Sequence, residues 1–232
     1  MMNKTKILTI RFENEIKREE IACFRGAVIN AMESANVLFH NHTDDDGLRY
    51  AYPLIQYKRI NQKAAIVCLG EGTEAIGEFF AGGNFEVLLG NREVNLVIDN
   101  IDASQCLVQC WDDSFSYHLR RWLPLNKQNY EKYCLMDGIV EKTTFLESLL
   151  IGNILSFAKG IGVHFEKQVE CKLTEVSEPM SLYYKGVKFM GFDAVLKTNV
   201  SVPDYIGLGK GVSLGMGMVK LMKNNKIIMS KI

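Results

Sequence analysis

The chain has 232 residues, 47% of them hydrophobic and 23% charged, with 27 Lys and Arg balanced by 27 Asp and Glu. This is enough for one large domain or two of roughly 100 residues each, and no apolar run of about 18 residues is present to span a bilayer. The opening stretch MMNKTKILTIRFENE is too briefly apolar, and too soon broken by Arg11 and Glu13, to read as a signal peptide, so a cytoplasmic protein with no membrane partner is expected.

In chain order, KILTIRF (6–12) alternates apolar and polar residues as a half-buried strand does. KREEIACFRGAVINAMESANVLFH then places Ile21, Phe24, Val28, Met32, Ala35, Leu38 and Phe39 at helical spacing. The spacing predicts an amphipathic helix with Glu19 and Glu20 in its first turn. The polar turn NHTDDDG ends it. RYAYPLIQYKRI and AAIVCLGEG read as strands separated by Asn61 and Gln62, TEAIGEFFAGG as a short helix closed by glycines, and VNLVIDN and SQCLVQCW as further strands. The order is that of a ferredoxin-like βαββαβ unit.

The second half repeats the pattern loosely. FSYHLRRWLPL reads as a strand, TTFLESLLIGNILSFAKGIG as a long apolar helix, and KQVECKLTEV and the hairpin-like MSLYYKGVKFMGFDAVLKTNV as strands. Where the second helix of such a unit should stand there is a Gly-rich loop, followed by GMVKLMK as a last strand. The boundary is expected near residues 110–116, giving domains over 1–112 and 113–232, with no linker composition between them.

The neutral total hides a gradient. Residues 1–63 carry 10 basic against 8 acidic side chains, residues 64–184 carry 9 against 17, and residues 185–232 carry 8 against 2. A polyanion could be held by that basic C-terminal segment; equally, its lysines could be a solvated sheet edge. The six cysteines show no CxxC spacing for zinc and read as small reduced core residues.

YIGLGKGVSLGMGMV has glycines at 207, 209, 211, 215 and 217 around Lys210. It fits neither GxxxxGK[ST] nor a GxGxxG that follows a first strand and opens a helix. Two readings remain: a backbone surface, with Lys210 and the Ser213 hydroxyl, that lies against a sugar-phosphate chain, or glycines required by tight turns and close packing.

Upstream, FHNHTDDD groups His40 and His42 at the end of the first helix. They could cap the helix dipole, join Asp44, Asp45 and Asp46 around a divalent ion at a spacing that fits no strong metal signature, or act as acid and base on a ribose 2′-OH and a leaving 5′ oxygen. Tyr50, Tyr52 and Lys58 fall on one face of the next strand, with Tyr57 and Arg59 on the other. The isolated His118 and His164 are assigned structural roles.

The duplicated βαββαβ order and GLGKGVSLGMG resemble the repeat-associated (RAMP) superfamily, in particular the CRISPR-associated endoribonucleases that process the repeat transcript into guide RNAs. FRGAVINAM, LFHNH and YPLIQYK are similar to the N-terminal half of one subgroup. The resemblance implies an α+β fold of two tandem ferredoxin-like, RRM-like domains packed side by side. It implies a metal-independent, cofactor-free cut by 2′-OH attack that leaves 2′,3′-cyclic phosphate and 5′-OH ends. His40 and His42 would be the acid and base, with help from Tyr50 or Tyr52. Gly207, Gly209, Lys210, Gly211, Ser213 and Gly215 would hold repeat RNA. Other CRISPR effector-complex proteins are further expected partners, and a homodimer would bring a second basic segment to a neutral protomer. Some members of the superfamily bind RNA without cutting it, so a non-catalytic RNA-binding subunit is the alternative. Overall neutrality and the missing second helix of the second domain depart from the pattern.

Overall fold

The computed structural model describes residues 4–31, 52–82 and 85–222. They form two units, the first comprising Met1–Leu107 with Ser213–Gly215, the second Val108–Val212 with Met216–Ile232.

The first unit runs β1 (Thr5–Glu15), α1 (Ile21–Asn30), β2 (Ile55–Ile60), β3 (Lys63–Leu69), α2 (Gly72–Ala75), α3 (Gly77–Ala81), β4 (Glu86–Leu89), β5 (Arg92–Asn95) and β6 (Ile98–Cys106). Its sheet has the order β2-β3-β1-β6 with every neighbouring pair antiparallel. This is the ferredoxin-like arrangement, with β6 as the fourth strand and β4–β5 a separate hairpin before it. Asn61 and Gln62 close the β2–β3 turn with φ of 49° and 71°, as a two-residue hairpin with two left-handed positions requires. Alternation directs Ile10 and Phe12 of β1, Tyr57 of β2 and Ile66 and Cys68 of β3 into one core with Phe24, Ala27 and Val28 of α1. Phe24 meets Phe12 and Tyr57 edge to face, at ring separations of 5.7 and 5.8 Å.

Three local expectations change. No acidic residue lies in the first turn of α1, because Glu20 is its N-cap. The Glu20 carboxylate accepts the Lys17 N–H at 2.6 Å and pairs with Arg92 at 3.1 Å. The backbone hydrogen bond, more than Arg92, lowers its pKa. TEAIGEFFAGG forms two short helices that meet at Ile76. VNLVIDN and SQCLVQCW do not form a strand each: β6 runs unbroken from Ile98 at the end of the first to Cys106 near the start of the second, and the next strand starts at Cys110. Nearly all of β6 is exposed, so burial leaves no alternation in its sequence.

The second unit runs β7 (Cys110–Trp122), α4 (Lys127–Leu135), α5 (Ile139–Gly160), β8 (Cys171–Val176), β9 (Met180–Tyr184), β10 (Val187–Val200) and β11 (Met218–Leu221). Its sheet order, β11-β7-β10-β8, repeats that of the first unit, while β9 pairs with the beginning of β10. Between β10 and β11 the only helical element is a 3-10 turn at Val212–Leu214. Helix α5 seats Leu146, Leu150, Ile154 and Phe157 in the interior at three- and four-residue spacing. Its buried Glu147 accepts the Leu173 N–H at 3.0 Å and the Lys172 ammonium at 2.9 Å, which ties the helix to β8. Among the described residues no helix is long and apolar enough to cross a membrane.

The cysteines correct a further expectation. Cys68 and Cys171 are buried, Cys106 and Cys110 half-buried, and Cys23 and Cys134 exposed. A small apolar residue is tolerated at a surface as well as in a core, so composition does not separate the two.

Candidate nucleic-acid interface

His40, His42 and Tyr50, together with Asp44–Asp46, lie outside the described residues. What borders them is defined. On one side α1 reaches Asn30; on the other the described residues begin again at Tyr52, whose hydroxyl accepts from Gln56 Nε2 at 2.8 Å. Of the isolated histidines, His118 is half-buried on β7 and His164 is exposed ahead of β8. Among the described residues no cluster of His, Cys, Asp and Glu side chains is placed to hold a metal ion.

Strand β2 divides its polar residues between two environments. Tyr57 belongs to the apolar core, only 1% exposed, and its hydroxyl has no hydrogen-bond partner among the described residues. Burial therefore drives its pKa upward, and Tyr57 serves packing. Lys58 faces the other way. It is registered against Ala65, which is registered against Arg11, so two cations share one row of the sheet face with a small residue between them. Lys58 is fully buried, and loss of hydration lowers its pKa to about 7. Gln56, also fully buried, stands on the same face. Arg59 is committed to the fold through a 2.6 Å bond from its Nε to the Ile16 carbonyl.

The Gly-rich loop is shaped first by packing. Gly209 has φ +90°, and a Cβ there would stand 2.9 Å from Trp122 Nε1 and 3.0 Å from the Leu123 carbonyl oxygen. Trp122 is fully buried and donates its indole N–H to Asn153 of α5 at 2.9 Å. The ring cannot withdraw, so glycine is the residue that fits. Gly217, at φ +61°, lies against the Leu208 carbonyl where a side chain has no space at all. The backbone N–H groups of Leu208, Lys210, Met216 and Gly217 are bonded to carbonyls of Gly217, Leu123, Gly211 and Arg121. Much of the donor surface read from the glycine spacing is thus spent inside the fold.

Of the six loop residues singled out by sequence, Lys210 alone is exposed; Gly209, Gly211, Ser213 and Gly215 are half-buried and Gly207 is buried. Ser213 and Gly215 belong with the first unit, where the intervening Leu214 packs on the core. The Lys210 ammonium stands 4.5 Å from the centre of the Phe189 ring, a cation–π geometry that sets it beside β10 of the β9–β10 hairpin. That hairpin supplies further cations and aromatics, Tyr183, Tyr184, Lys185 and Lys188, around its turn at Lys185 and Gly186. The sequence marks this stretch as a hairpin; the close grouping of aromatic and basic side chains in YYKGVKF is the further signal that singles it out.

Residues 3–106 match the Cas6b N-terminal domain family and residues 109–222 the Cas6b C-terminal domain family. A crystal structure of Cas6b superposes with a TM-score of 0.86 at 25% identity, over 95% of this chain and all of that one. The structure of a CRISPR RNA processing endoribonuclease Cas6b superposes at 0.73 and 23% identity over the same shares. The uncharacterized protein MJ0978 of Methanocaldococcus jannaschii is 39% identical over 98 residues, a match that takes in 42% of this chain and 65% of that protein.

Proposed function

Since the chain belongs to the Cas6b family, we propose that it is an endoribonuclease that processes CRISPR repeat transcripts into guide RNAs. The observation that carries this reading is the match of both halves to the two domains of one family, on a fold of tandem ferredoxin-like units. In the proposed reaction the ribose 2′-oxygen attacks the adjacent phosphorus while one imidazole, from His40 or His42, takes the 2′-OH proton. The bond from phosphorus to the 5′ oxygen breaks, and the other imidazole returns a proton to that oxygen. The products carry 2′,3′-cyclic phosphate and 5′-OH ends, and every proton is accounted for by side chains. Tyr50 assists by orienting the phosphate, and Lys210 and the Gly-rich loop hold the RNA backbone.

The test is incubation with repeat RNA in EDTA and identification of the product termini. Cleavage to cyclic-phosphate ends at an undiminished rate is expected, with a bell-shaped pH profile. His40→Ala combined with His42→Ala should lower the rate by about 10²-fold or more while RNA affinity holds. An absolute requirement for a divalent metal would overturn the mechanism. RNA bound but left intact would make the protein a non-catalytic binding subunit.

A further inference from the structure

The second unit contains a cavity of about 480 Å³ between the start of α4 and the β9–β10 hairpin. Its walls carry Lys127 and Lys188 as exposed cations, Tyr130 and Phe189 as rings, and Asn126 and Ser181 as neutral polar groups. Among the described residues no acidic side chain lines it, although residues 64–184, which supply most of the lining, hold 17 acidic against 9 basic side chains. Excluding carboxylates from a cavity in so acidic a segment favours an anionic occupant. The volume lies within the roughly 300–1,000 Å³ of small-molecule sites, and the apolar floor includes Leu125, Met180 and Met190.

The lining brings together the side-chain types that a nucleotide needs. Tyr130 is 45% exposed, so its ring offers a free surface to a planar base. Lys127 and Lys188 come from separate elements, the first residue of α4 and strand β10. Phe189 lines the cavity and also carries Lys210 over its ring at 4.5 Å. One ring thereby links the cavity wall to the loop cation to which RNA binding is assigned above.

We propose that this cavity binds one nucleotide of single-stranded RNA, its phosphate on Lys127 and Lys188 and its base against Tyr130, as a station beyond the Gly-rich loop. The inference rests on the RNA-processing reading and adds to it a place where an unpaired nucleotide is held. Side chains that meet an unstacked base by ring contact and its phosphate by point charge do not distinguish one base from another. The site therefore favours single strands over duplexes without reading sequence.

The experiment uses the full chain and a fluorescein-labelled repeat RNA, 2′-O-methylated so that it is not cut, with binding followed by anisotropy over a KCl series. Lys127→Ala with Lys188→Ala should reduce the slope of log affinity against log salt by about 1.4, the share of two single-strand phosphate contacts. Tyr130→Ala should weaken binding roughly five- to hundredfold at each salt concentration with the slope unchanged. A control pair, Lys159→Ala with Lys197→Ala, removes two exposed cations that do not line the cavity, and should leave the slope as in the wild type. Wild-type binding in the cavity variants, or an equal loss in the control pair, overturns the cavity assignment and leaves the RNA reading standing. Failure of the wild type to bind the RNA at any salt concentration overturns both. All four lysines and Tyr130 are exposed, and circular dichroism of each variant verifies the fold.

Discussion

The two units share a strand order and differ in how they pass from the third strand to the fourth. In the first, the chain from β3 to β6 forms two short helices and a hairpin, α2, α3 and β4–β5. In the second, β10 leads to β11 through a loop whose only helical element is a three-residue 3-10 turn. The sheet therefore does not depend on a helix at this position. Something must still cover the strands, and in the second unit the loop does so by close packing, with Ile206 and Leu208 fully buried. The cations differ as well. The first unit buries Lys58, and the second displays Lys210.

The largest expected effect tests whether glycine packing replaces the helix. Gly209→Ala places a methyl group against Trp122 and the Leu123 carbonyl at a left-handed φ of +90°. The strain and overlap should cost about 2–4 kcal/mol, seen as a fall of roughly 5–15 °C in Tm. Gly152→Ala is the counterpart. That glycine lies within α5, with no atom within 4 Å of an added Cβ, so the change should raise stability by about 0.5–1 kcal/mol through helix propensity. Equal and small effects at both positions, measured by thermal denaturation, would show that the loop glycines are not packing residues.

How much of this was legible in the sequence follows from the same physics. Alternation in KILTIRF marks a strand because one side of it is buried, and Asn61–Gln62 marks the turn that separates two more. The replacement of a helix by the Gly-rich loop is visible in the glycines at 207, 209, 211, 215 and 217, a density incompatible with a stable helix. Helix α4 escaped because none of its residues is buried, which leaves no apolar stripe to detect. Its one local signal is Asn126, whose side chain caps the helix by accepting the Asn129 N–H at 2.8 Å. Hairpin β4–β5 escaped because REVN is mostly exposed, though Gly90 at φ +65° marks the turn. At the candidate interface the glycine positions, and close packing as one reason for them, were legible; the partner was not, because Trp122 lies 87 residues before Gly209 in the chain. The cavity is built from three separate segments, and a linear pattern does not reveal that they meet.

The next effect concerns the buried cation. Lys58 has a folded pKa of about 7, set by desolvation, against about 10.4 in an unfolded chain. Between those values the unfolded chain binds a proton that the folded protein does not. Stability is therefore lost as pH falls from about 10 towards 7, and below 7 the cost is fully present. Lys58→Met has no charge to bury. It should raise Tm by several degrees at pH 6, and the gain should shrink steadily as pH approaches 10. A gain independent of pH would mean that packing, and not ionisation, separates the two side chains.

The smallest expected effect is at the displayed cation. Lys210 is exposed, and its contact with Phe189 is worth about 0.5–1 kcal/mol at a surface, so Lys210→Ala should move Tm by no more than about 2–4 °C. Its contribution to binding is read from salt dependence, because each phosphate contact to a single strand adds about 0.7 to the slope of log affinity against log salt. Lys210→Ala should lower the slope by that amount, and Lys210→Arg should restore it, since either cation neutralises one phosphate. Lys58→Met should leave the slope unchanged, because a fully buried lysine with a pKa of about 7 releases no counterion from a phosphate. If the slope instead follows Lys58 and ignores Lys210, the division between a buried and a displayed cation is reversed, and the RNA backbone is held by the sheet face of the first unit.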